Sequence, residues 1–553
     1  MSTTGSSPRE ETQATEGTIA PTAGRNIQGW LLILLVFVAG ACSLAIELSA
    51  SRLLAPYFGT SLFVWSNLIG LILLYLTLGY YLGGRLADRF PRPGVLYALT
   101  IVAAFLVSLI PFLSKPILHW SQRAFASYSI GVFYGSLAAV ILLFALPMIL
   151  LGCVSPFAIR LRIEQVGKSG RTAGQLYAIS TAGSILGTFL PVLWLIPTIG
   201  TYRTFFTFAV ALLLVSVIAM LSTRSGPGGS ASNKQRFNKN FLAILLLIPM
   251  ALSIFTIEGP IKPAFGSNGG GTLLAERESV YNYIQVVQVG EETQLILNEG
   301  VGVHSIYNPH AVLTEGPWDY FMIAPYFNNP PFPSDQVHRV AIIGLGAGTA
   351  VRAFTSAYGS IAIEGVEIDG TIVDLARQYF HMNEPNLHVI LQDGRYFLTT
   401  TGQKYDVIGI DAYQQPYVPF QLTTQEFFQQ VRNHLTPLGV TVITAGRTGR
   451  DFRLVEALAQ TMHSVFPNVY IIDSKRFTNS LVIGTNAHTS LANFPVNTNR
   501  LTNPLLRQVA ASSIADGNIR EAHSSTVYFT DDRAPVEQLI DQIIFSAVQH
   551  QGK

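Results

Sequence analysis

The sequence predicts a multi-pass α-helical membrane domain followed by an α/β Rossmann-like doubly wound sheet with a small N-terminal β region. Hydrophobic residues make up 49% of the 553 residues, and charged residues only 12%, against roughly 25% in soluble domains. The charge is also unevenly placed. Up to Pro260 the chain has 17 Lys and Arg against 7 Asp and Glu, and the remainder has 18 against 26. A basic, charge-poor half therefore precedes an acidic half of ordinary composition.

The basic half begins with residues 1–29, whose Ser, Thr, Gly and Pro content predicts a disordered tail. Residues 30–258 then contain seven apolar runs, each close to the roughly 20 residues that a helix needs to cross a bilayer. These runs are Trp30 to Leu48, Leu62 to Leu82, Val95 to Leu113, Val132 to Leu151, Leu176 to Leu195, Tyr202 to Leu221, and Phe241 to Ile257. The first run begins too late and is too long for a cleaved signal peptide. We therefore expect seven membrane helices in contact with lipid.

The basic residues of the loops predict how these helices are oriented. Thirteen lie on the N-terminal side: Arg9, Arg25, Arg85, Arg89, Arg92, Arg160, Arg162, Lys168, Arg171, Arg224, Lys234, Arg236 and Lys239. Four lie on the other side: Arg52, Lys115, Arg123 and Arg203. Because basic loops face the cytoplasm, we expect a multi-pass protein of the cell membrane with a cytoplasmic N terminus. An odd number of spans then places the C-terminal half outside the cytoplasm.

Small residues in two of the spans have the spacing of helix-packing positions. They are the pairs Gly79/Gly83 and Gly183/Gly187, where a missing side chain lets two backbones approach closely. The two cysteines, Cys42 and Cys153, offer neither a disulfide framework nor metal-ligand spacing. The 11 His residues are scattered, so no metal site is expected, and the basic residues are explained by topology rather than by nucleic-acid binding.

The acidic half begins after a linker over residues 259–275, which contains the flexible segment Gly266 to Gly271. Residues 276–330 form the small β region, where two β-rich runs flank the turn Gly290 to Thr293 and predict a hairpin. Residues 331–553 alternate strands with helical patterns, which is typical of a largely parallel sheet. The predicted strands are Arg339 to Ile343, Ile361 to Val366, Leu387 to Leu391, Tyr405 to Ile410, and Val440 to Thr444.

Glycines and acids follow the ends of these strands. The first strand runs into a turn with Gly344, Gly346 and Gly348, which lets a nucleotide approach the backbone, and Glu367 ends the second strand about 20 residues later. Turn and acid at this spacing indicate a nucleoside site, with the acid on the ribose hydroxyls. Two further acids, in Asp393-Gly394 and at Asp411, follow the third and fourth strands. Since parallel strands share one carboxyl edge, we expect these acids to converge on one cleft.

These motifs resemble the spermidine synthase family of aminopropyltransferases, from about Glu278 to Gly439 and again at Thr530 to Glu537. The fusion to a membrane region is similar to bacterial chains that join a transporter-like domain to a spermidine synthase. The resemblance implies that decarboxylated S-adenosylmethionine is the donor, without a metal, and a small amine is the acceptor. It further implies that Asn282 and the glycine-rich turn contact the donor. By the same resemblance, Glu367 holds the ribose, Asp393 with Gly394 the adenine, and Asp411 accepts the proton.

The sequence also departs from the family pattern, at positions that grip a cationic polyamine. Ala347 replaces an Asp in the glycine-rich turn, and Gln414 replaces the second acid of the catalytic loop. Asp319, in Trp318-Asp-Tyr320, lies near a position where the family often has His or Gln and supplies one replacement charge. Asp319, Tyr413 and Gln414 are therefore the candidate acceptor-binding residues, and a standard diamine substrate is in doubt.

Three functions follow from these patterns. The first is a membrane-anchored aminopropyltransferase in polyamine biosynthesis. The second is a methyltransferase that uses S-adenosylmethionine in the same cleft, and the third is a ligand-binding transporter or sensor without catalysis. Sulfonium donors are made in the cytosol, so the side of the membrane that the catalytic half faces stays open, and we favour a miscounted span slightly. The acceptor and the oligomeric state also stay open, with a homo-oligomer among the alternatives.

Overall fold

The computed structural model describes residues 23–58, 62–124, 131–163, 169–222, 264, 271–298, 302–413, 417–514, 518–522 and 527–551. In its first part, eight helices precede the sheets: α1 Ala23–Phe58, α2 Leu62–Arg89, α3 Pro93–Ala124, α4 Gly131–Gly152, α5 Val154–Arg162, α6 Ser169–Leu190, α7 Ile196–Ile199 and α8 Thr201–Ser222. A π-helical segment, Pro191–Leu195, joins α6 to α7.

Within the described residues, six helical segments are long and apolar enough to cross a membrane. They coincide with the first six predicted spans, since α4 with α5 and α6 with α7 each continue as one segment. The seventh predicted span, Phe241 to Ile257, lies outside the described residues, as does most of the linker. The first helix begins at Ala23, inside the segment expected as a disordered tail, because no Pro or Gly pair interrupts the chain before the apolar run.

Glycines let the membrane helices pack backbone against backbone. A Cβ on Gly183 or Gly187 of α6 would lie 2.0 Å from a carbonyl oxygen of α1, that of Phe37 or Ala41. A Cβ on Gly79 of α2 would likewise lie 2.3 Å from the Ile149 oxygen of α4. Real Cβ atoms do not approach backbone this closely, so glycine is required at these positions. The predicted packing role of the glycine pairs is confirmed.

The helices define two faces of the membrane domain. At the N-terminal face, the Gln28 side chain at the start of α1 donates a hydrogen bond to the Ser222 carbonyl at the end of α8, 3.4 Å away. At the distal face, the Tyr57 ring near the end of α1 contacts the His119 ring of α3, and Lys115 of α3 lies over the Tyr202 ring at the start of α8. The chain therefore enters and leaves the described helices at the same face.

The second half begins with a four-stranded antiparallel sheet in the order β1-β2-β3-β4. Its strands are β1 Thr272–Glu278, β2 Tyr283–Val289, β3 Glu292–Leu297 and β4 Val303–Tyr307. The predicted hairpin is confirmed by the pairing of β2 with β3 across a turn at Gly290. The sheet begins at Thr272, inside the segment expected as linker, because the alternating residues of β1 pair with β2.

A larger sheet follows, and among the described residues it has eight strands in the order β12-β10-β11-β9-β8-β5-β6-β7. The strands are β5 Arg339–Ile343, β6 Ala362–Glu367, β7 Leu387–Leu391, β8 Tyr405–Ile410, β9 Leu435–Gly446, β10 Asn468–Asp473, β11 Asn479–Thr485 and β12 Ile519–Glu521. The five predicted strands are β5 to β9, and they are parallel. The other three add an antiparallel edge, so the sheet is mixed rather than largely parallel.

Helices cover both faces of this sheet. They are α9 Pro317–Tyr320, α10 Thr349–Tyr358, α11 Gly370–Tyr379, α12 Gly394–Thr400, α13 Gln425–Asn433, α14 Arg453–His463, α15 Asn493–Thr498, α16 Pro504–Ile514 and α17 Val536–Gln551. Two apolar cores result, one on each side of the strands. Because β6 and β7 lie on one side of β5 and β8 and β9 on the other, the strand order reverses between β5 and β8. A doubly wound sheet binds its ligand at such a reversal.

Candidate active site

A cavity of about 370 Å³ opens at the point where the strand order reverses. It is lined by residues that follow β5, β6, β7 and β8 and by the turn between β1 and β2. The predicted residues Asn282, Gly344, Gly346, Glu367, Asp393, Gly394, Asp411 and Tyr413 all lie on its wall. The structure therefore brings the strand-end acids together, as the parallel topology predicts.

The glycine-rich turn follows β5 and has backbone angles that favour glycine. Gly344 has φ +84°, and a Cβ there would lie 2.5 Å from the carbonyl oxygen of Asp411. Gly346 has φ +55°, and a Cβ there would lie 2.7 Å from the hydroxyl oxygen of Ser305. Gly348 precedes α10 as its N-cap residue and does not line the cavity. Positive φ and these close protein contacts therefore require glycine at positions 344 and 346, and both residues line the cavity.

Glu367 ends β6 and is held by the turn it faces. Its Oε2 atom accepts a hydrogen bond from the Gly346 amide at 2.9 Å, and its Oε1 atom accepts from the amides of Ile368 and Asp369. Burial nevertheless raises the pKa of Glu367 to about 7, against the effect of the Gly346 hydrogen bond. The carboxylate is therefore fixed in one orientation at the cavity wall, where it can accept hydrogen bonds from the hydroxyl groups of a ribose.

Asp393 and Gly394 join β7 to α12. One oxygen of Asp393 accepts hydrogen bonds from the amides of Arg395 and Tyr396, both at 2.9 Å, and so caps the helix. A Cβ on Gly394 would lie 2.3 Å from the Ile343 side chain of β5. The pair therefore fits closely against the strand that carries the glycine-rich turn. Cavity-lining residues Phe420 and Leu422 supply apolar surface on the same wall, suited to an adenine ring.

Asn282 lies in the turn between β1 and β2 and lines the cavity. Its amide nitrogen donates to Asp369 Oδ2 at 3.0 Å, and its amide oxygen accepts from the Asn298 side chain at 3.0 Å. Ser279, at the start of the same turn, also donates to Asp369 Oδ2. Asn282 is therefore a fixed part of the wall behind the predicted donor site.

Asp411 follows β8 and is half-buried at the centre of the cleft. Its Oδ2 atom accepts a hydrogen bond from the indole nitrogen of Trp318, 2.7 Å away, and Trp318 itself is 4% exposed. Burial raises the pKa of Asp411 to about 6, and the side chains of Thr444 and Trp318 oppose this rise. A carboxylate with a pKa close to neutrality is suited to accept a proton during a reaction.

The structure places the three candidate acceptor-binding residues differently. Tyr413 lines the cavity, and its hydroxyl donates to the Thr444 carbonyl at 3.0 Å. Gln414 lies outside the described residues. Asp319 is 2% exposed and accepts hydrogen bonds from the backbone amides of Thr314 and Glu315, so it does not line the cavity. An acceptor contact at Asp319 does not fit this placement, because its carboxylate is used to hold the turn before Trp318.

Sequence reasoning missed several residues of the site. Trp318 was adjacent to a predicted residue, but nothing in the sequence indicated that its indole would contact Asp411, 93 positions away. Tyr281, Ile368 and Phe420 line the cavity with apolar side chains. Glu537, at the start of α17, lines it from the C-terminal segment. The resemblance at Thr530 to Glu537 includes this acid, and that acid is the sequence signal for its place in the site.

Fold and site together define a nucleoside-binding α/β enzyme joined to helices long and apolar enough to cross a membrane. Among the residues that the structure describes, no group of three or more His, Cys, Asp or Glu could hold a metal ion.

Comparison with known proteins narrows this class to one family. Residues 327–478 match the model of the spermine/spermidine synthase domain. A probable polyamine aminopropyl transferase of Bifidobacterium longum is 34% identical over 315 residues, which are 53% of this chain and 68% of that protein. A polyamine aminopropyltransferase of Vibrio vulnificus is 29% identical over 220 residues, 37% of this chain and 68% of that protein. This chain belongs to the spermidine synthase family and is an aminopropyltransferase enzyme.

A solved structure, described as a probable spermidine synthase from Corynebacterium glutamicum, is 22% identical. The match covers 46% of this chain and 98% of that one, with a TM-score of 0.35. The assignment to the family rests on the sequence relatives and not on this likeness.

Proposed function

We propose that this protein transfers the aminopropyl group of decarboxylated S-adenosylmethionine to the nitrogen of a small amine, as a multi-pass protein of the cell membrane. The observation that carries the proposal is Asp411. This carboxylate has a raised pKa, is held by Trp318, and lies in the same cavity as the glycine-rich turn and the ribose-binding acid. An amine acceptor needs such a group, because its protonated form has no free electron pair.

The residues that line the cavity suit each part of the donor. In this proposal Glu367 accepts hydrogen bonds from the ribose hydroxyl groups, and the backbone at Gly344 and Gly346 lies beside the nucleoside. Asp393 and Gly394 contact the adenine. Because Asp411 lines the same cavity as these residues, a donor bound in this way brings its sulfonium into the cleft that holds Asp411. Positioning of this kind converts the encounter of two substrates into a reaction within one complex.

In the reaction, the amine nitrogen attacks the aminopropyl carbon that is bonded to the sulfonium. The new carbon–nitrogen bond forms as the carbon–sulfur bond breaks, and the electron pair of the broken bond stays on sulfur. Neutral methylthioadenosine leaves, and the proton of the new ammonium passes to Asp411. Because charge is lost at sulfur and carried by the amine, a carboxylate beside the nitrogen stabilises the transition state.

The acceptor in this proposal is a small amine that is bound by few carboxylates of the site. Among the described lining residues, the carboxylates are Glu367, Asp393, Asp411 and Glu537, and of these Asp411 is the one that contacts Trp318. Asp319 is directed at backbone and Ala347 carries no charge. These facts support recognition of one amino group at Asp411, so that a monoamine and a diamine should both be tried.

Product masses test the proposal. The full chain, purified in detergent, is incubated with decarboxylated S-adenosylmethionine or with S-adenosylmethionine and a panel of monoamines and diamines. We expect the mass of one aminopropyl group to be added to an amine, with methylthioadenosine released. The variant Asp411→Asn should lose this activity, whereas Asp335→Asn, at an exposed position, should keep it. Methyl transfer alone would make the protein a methyltransferase, and binding without turnover would make it a sensor or transporter.

A further inference from the structure

The membrane domain and the catalytic half are joined by a hydrogen-bonded contact at Glu278. Helix α8 begins at Thr201, on the distal face, and the carboxylate of Glu278 caps this helix. The Thr201 amide donates to Glu278 Oε2 at 2.8 Å, and the Thr201 hydroxyl donates to Glu278 Oε1 at 2.5 Å. The first amides of a helix have no partner inside it, and a carboxylate at this end is stabilised by the helix dipole.

Groups of the membrane helices surround Glu278 and compensate its charge. Gly200, just before α8, has φ +83°, and a Cβ there would lie 3.1 Å from Glu278 Oε2. Burial raises the pKa of Glu278, while the hydrogen bonds from Thr201 and the positive charge of Arg52 in α1 lower it. A partly buried carboxylate is thus compensated by groups that belong to the membrane helices.

The residue next to Glu278 begins the turn that forms the wall of the cavity. Ser279 accepts hydrogen bonds through its hydroxyl from the amides of Tyr281 and Asn282, at 3.1 and 2.9 Å. The same hydroxyl and the Asn282 side chain both donate to Asp369 Oδ2. The Asp369 amide in turn donates to Glu367 Oε1 at 3.2 Å. Few hydrogen bonds therefore separate the helix cap from the ribose-binding carboxylate.

We propose that Glu278 is a positioning residue for the donor: by capping α8 through Thr201, it fixes the turn Ser279 to Asn282, so that affinity for the adenosyl group depends on the membrane domain. This proposal rests on the proposed function for the nature of the ligand. It assigns the helices a part in donor binding besides anchoring. An enzyme whose donor site is completed in this way binds its donor weakly when the two halves are separated.

A binding measurement on the full chain tests the proposal from the membrane side, far from the cavity. Thr201→Val removes the hydroxyl donor and leaves the catalytic half unchanged in sequence. With methylthioadenosine as the probe in titration calorimetry, we expect Kd to rise about tenfold, the effect of one hydrogen bond to a charged group. Thr201→Ser should restore the wild-type Kd. In the steady state, KM for the donor should rise while kcat is unchanged.

A matched control is Thr207→Val, on the same helix, because the Thr207 hydroxyl donates within the helix to the Arg203 carbonyl. Its Kd should equal the wild-type value. Hydrogen exchange at Tyr281 and Asn282 should increase in Thr201→Val and not in the control, a change that loss of overall stability would spread over the whole catalytic half. If Thr201→Val does not fold, Glu278→Gln, which keeps the side-chain shape and loses the charge, carries the same test.

The outcomes separate the two proposals. Wild-type chain that does not bind methylthioadenosine contradicts the proposed function. Wild-type chain that binds it, with Thr201→Val and Glu278→Gln both within twofold of its Kd, contradicts the positioning role of Glu278 and leaves the proposed function intact. Equal weakening by Thr207→Val would also contradict the role, since the effect would then come from α8 in general.

Discussion

At the scale of single residues, the environment of Asp411 combines burial with two polar side chains. Burial favours the protonated form, the Thr444 side chain and the Trp318 indole favour the ionised form, and the pKa of Asp411 is about 6. Trp318 is itself placed by Asp319, which holds the preceding backbone turn through Thr314 and Glu315. Asp319, which is predicted to contact the acceptor, is thus linked to Asp411 only indirectly. It holds the turn that carries Trp318, and Trp318 contacts Asp411.

The pKa of Asp411 predicts how activity depends on pH. Since the ionised carboxylate is the reactive form, kcat should be independent of pH above about 6 and fall about tenfold for each pH unit below it. Asp411→Asn should lower kcat by about 10²- to 10⁴-fold and remove this limb. The amide cannot ionise in the buried site, so this variant should be at least as stable as the wild type at pH 8. If kcat of Asp411→Asn still falls at low pH, a group other than Asp411 causes the fall.

Replacing Trp318 by Phe should shift the acid limb of the pH profile of kcat. The substitution keeps an aromatic ring and removes the N–H that donates to Asp411 Oδ2. Because this hydrogen bond stabilises the ionised form, its loss should raise the pKa of Asp411 and move the acid limb to higher pH. The pH profile of kcat is the measurement, with Trp194→Phe, at a position 62% exposed, as the control. An unshifted limb would show that the indole does not act on the base.

At the scale of elements, the membrane helices are held by close backbone contacts at glycines as well as by a core of buried apolar side chains. Helices α1 and α6 meet at Gly183 and Gly187, and α2 and α4 meet at Gly79 and Gly152. In lipid, apolar side chains gain little by leaving one hydrocarbon surface for another. Close packing therefore contributes to the association of these helices, together with hydrogen bonds between them such as Asn67 to Ser136.

Gly187→Ala should separate α1 from α6. Its Cβ would lie 2.0 Å from the Ala41 carbonyl oxygen, so one of the two helices must shift, at a cost of about 1–3 kcal/mol. We expect a lower thermal midpoint for the chain in detergent. Gly174→Ala is the matched control on the same helix, because no atom lies within 4 Å of its Cβ. A control that loses as much stability as Gly187→Ala would rule out the contact as the cause.

Elements were predicted well wherever one contiguous pattern specifies them. Strands β5 and β7 have the predicted bounds, because each is a short apolar run between turn residues. The antiparallel strands β10 to β12 were missed. They follow the last predicted strand, and their direction depends on which strand each one pairs with: β11 with β9, β10 with β11, and β12 with β10.

At the scale of the whole molecule, the catalytic half contacts the distal face, which holds Thr201 and Arg52. The chain leaves α8 at the N-terminal face, where Ser222 contacts Gln28. The described basic residues Arg85, Arg89 and Arg160 lie at the N-terminal face too. The contact at Glu278 therefore predicts that the catalytic half lies on the side of the membrane opposite the basic loops.

Cysteine labelling in intact cells checks this sidedness. Both natural cysteines, Cys42 and Cys153, are buried, so an introduced cysteine reports on its own position. Gly402→Cys lies on an exposed turn of the catalytic half, and Gly170→Cys is exposed at the N-terminal face. If the basic loops are cytoplasmic, a membrane-impermeant maleimide should label Gly402→Cys in intact cells and Gly170→Cys only after permeabilisation. The reverse pattern would place the catalytic half in the cytoplasm.

The sequence by itself determined the division into two halves, the first six membrane spans, the parallel strands and the acids that line one cleft. These features depend on residues close together in the sequence, as apolar runs of a given length or as glycines and an acid at fixed spacing. Tertiary structure decided which groups act on those acids. Trp318 reaches Asp411 across 93 positions, and Thr201 reaches Glu278 across 77, because folding brings together segments whose local patterns contain no sign of each other.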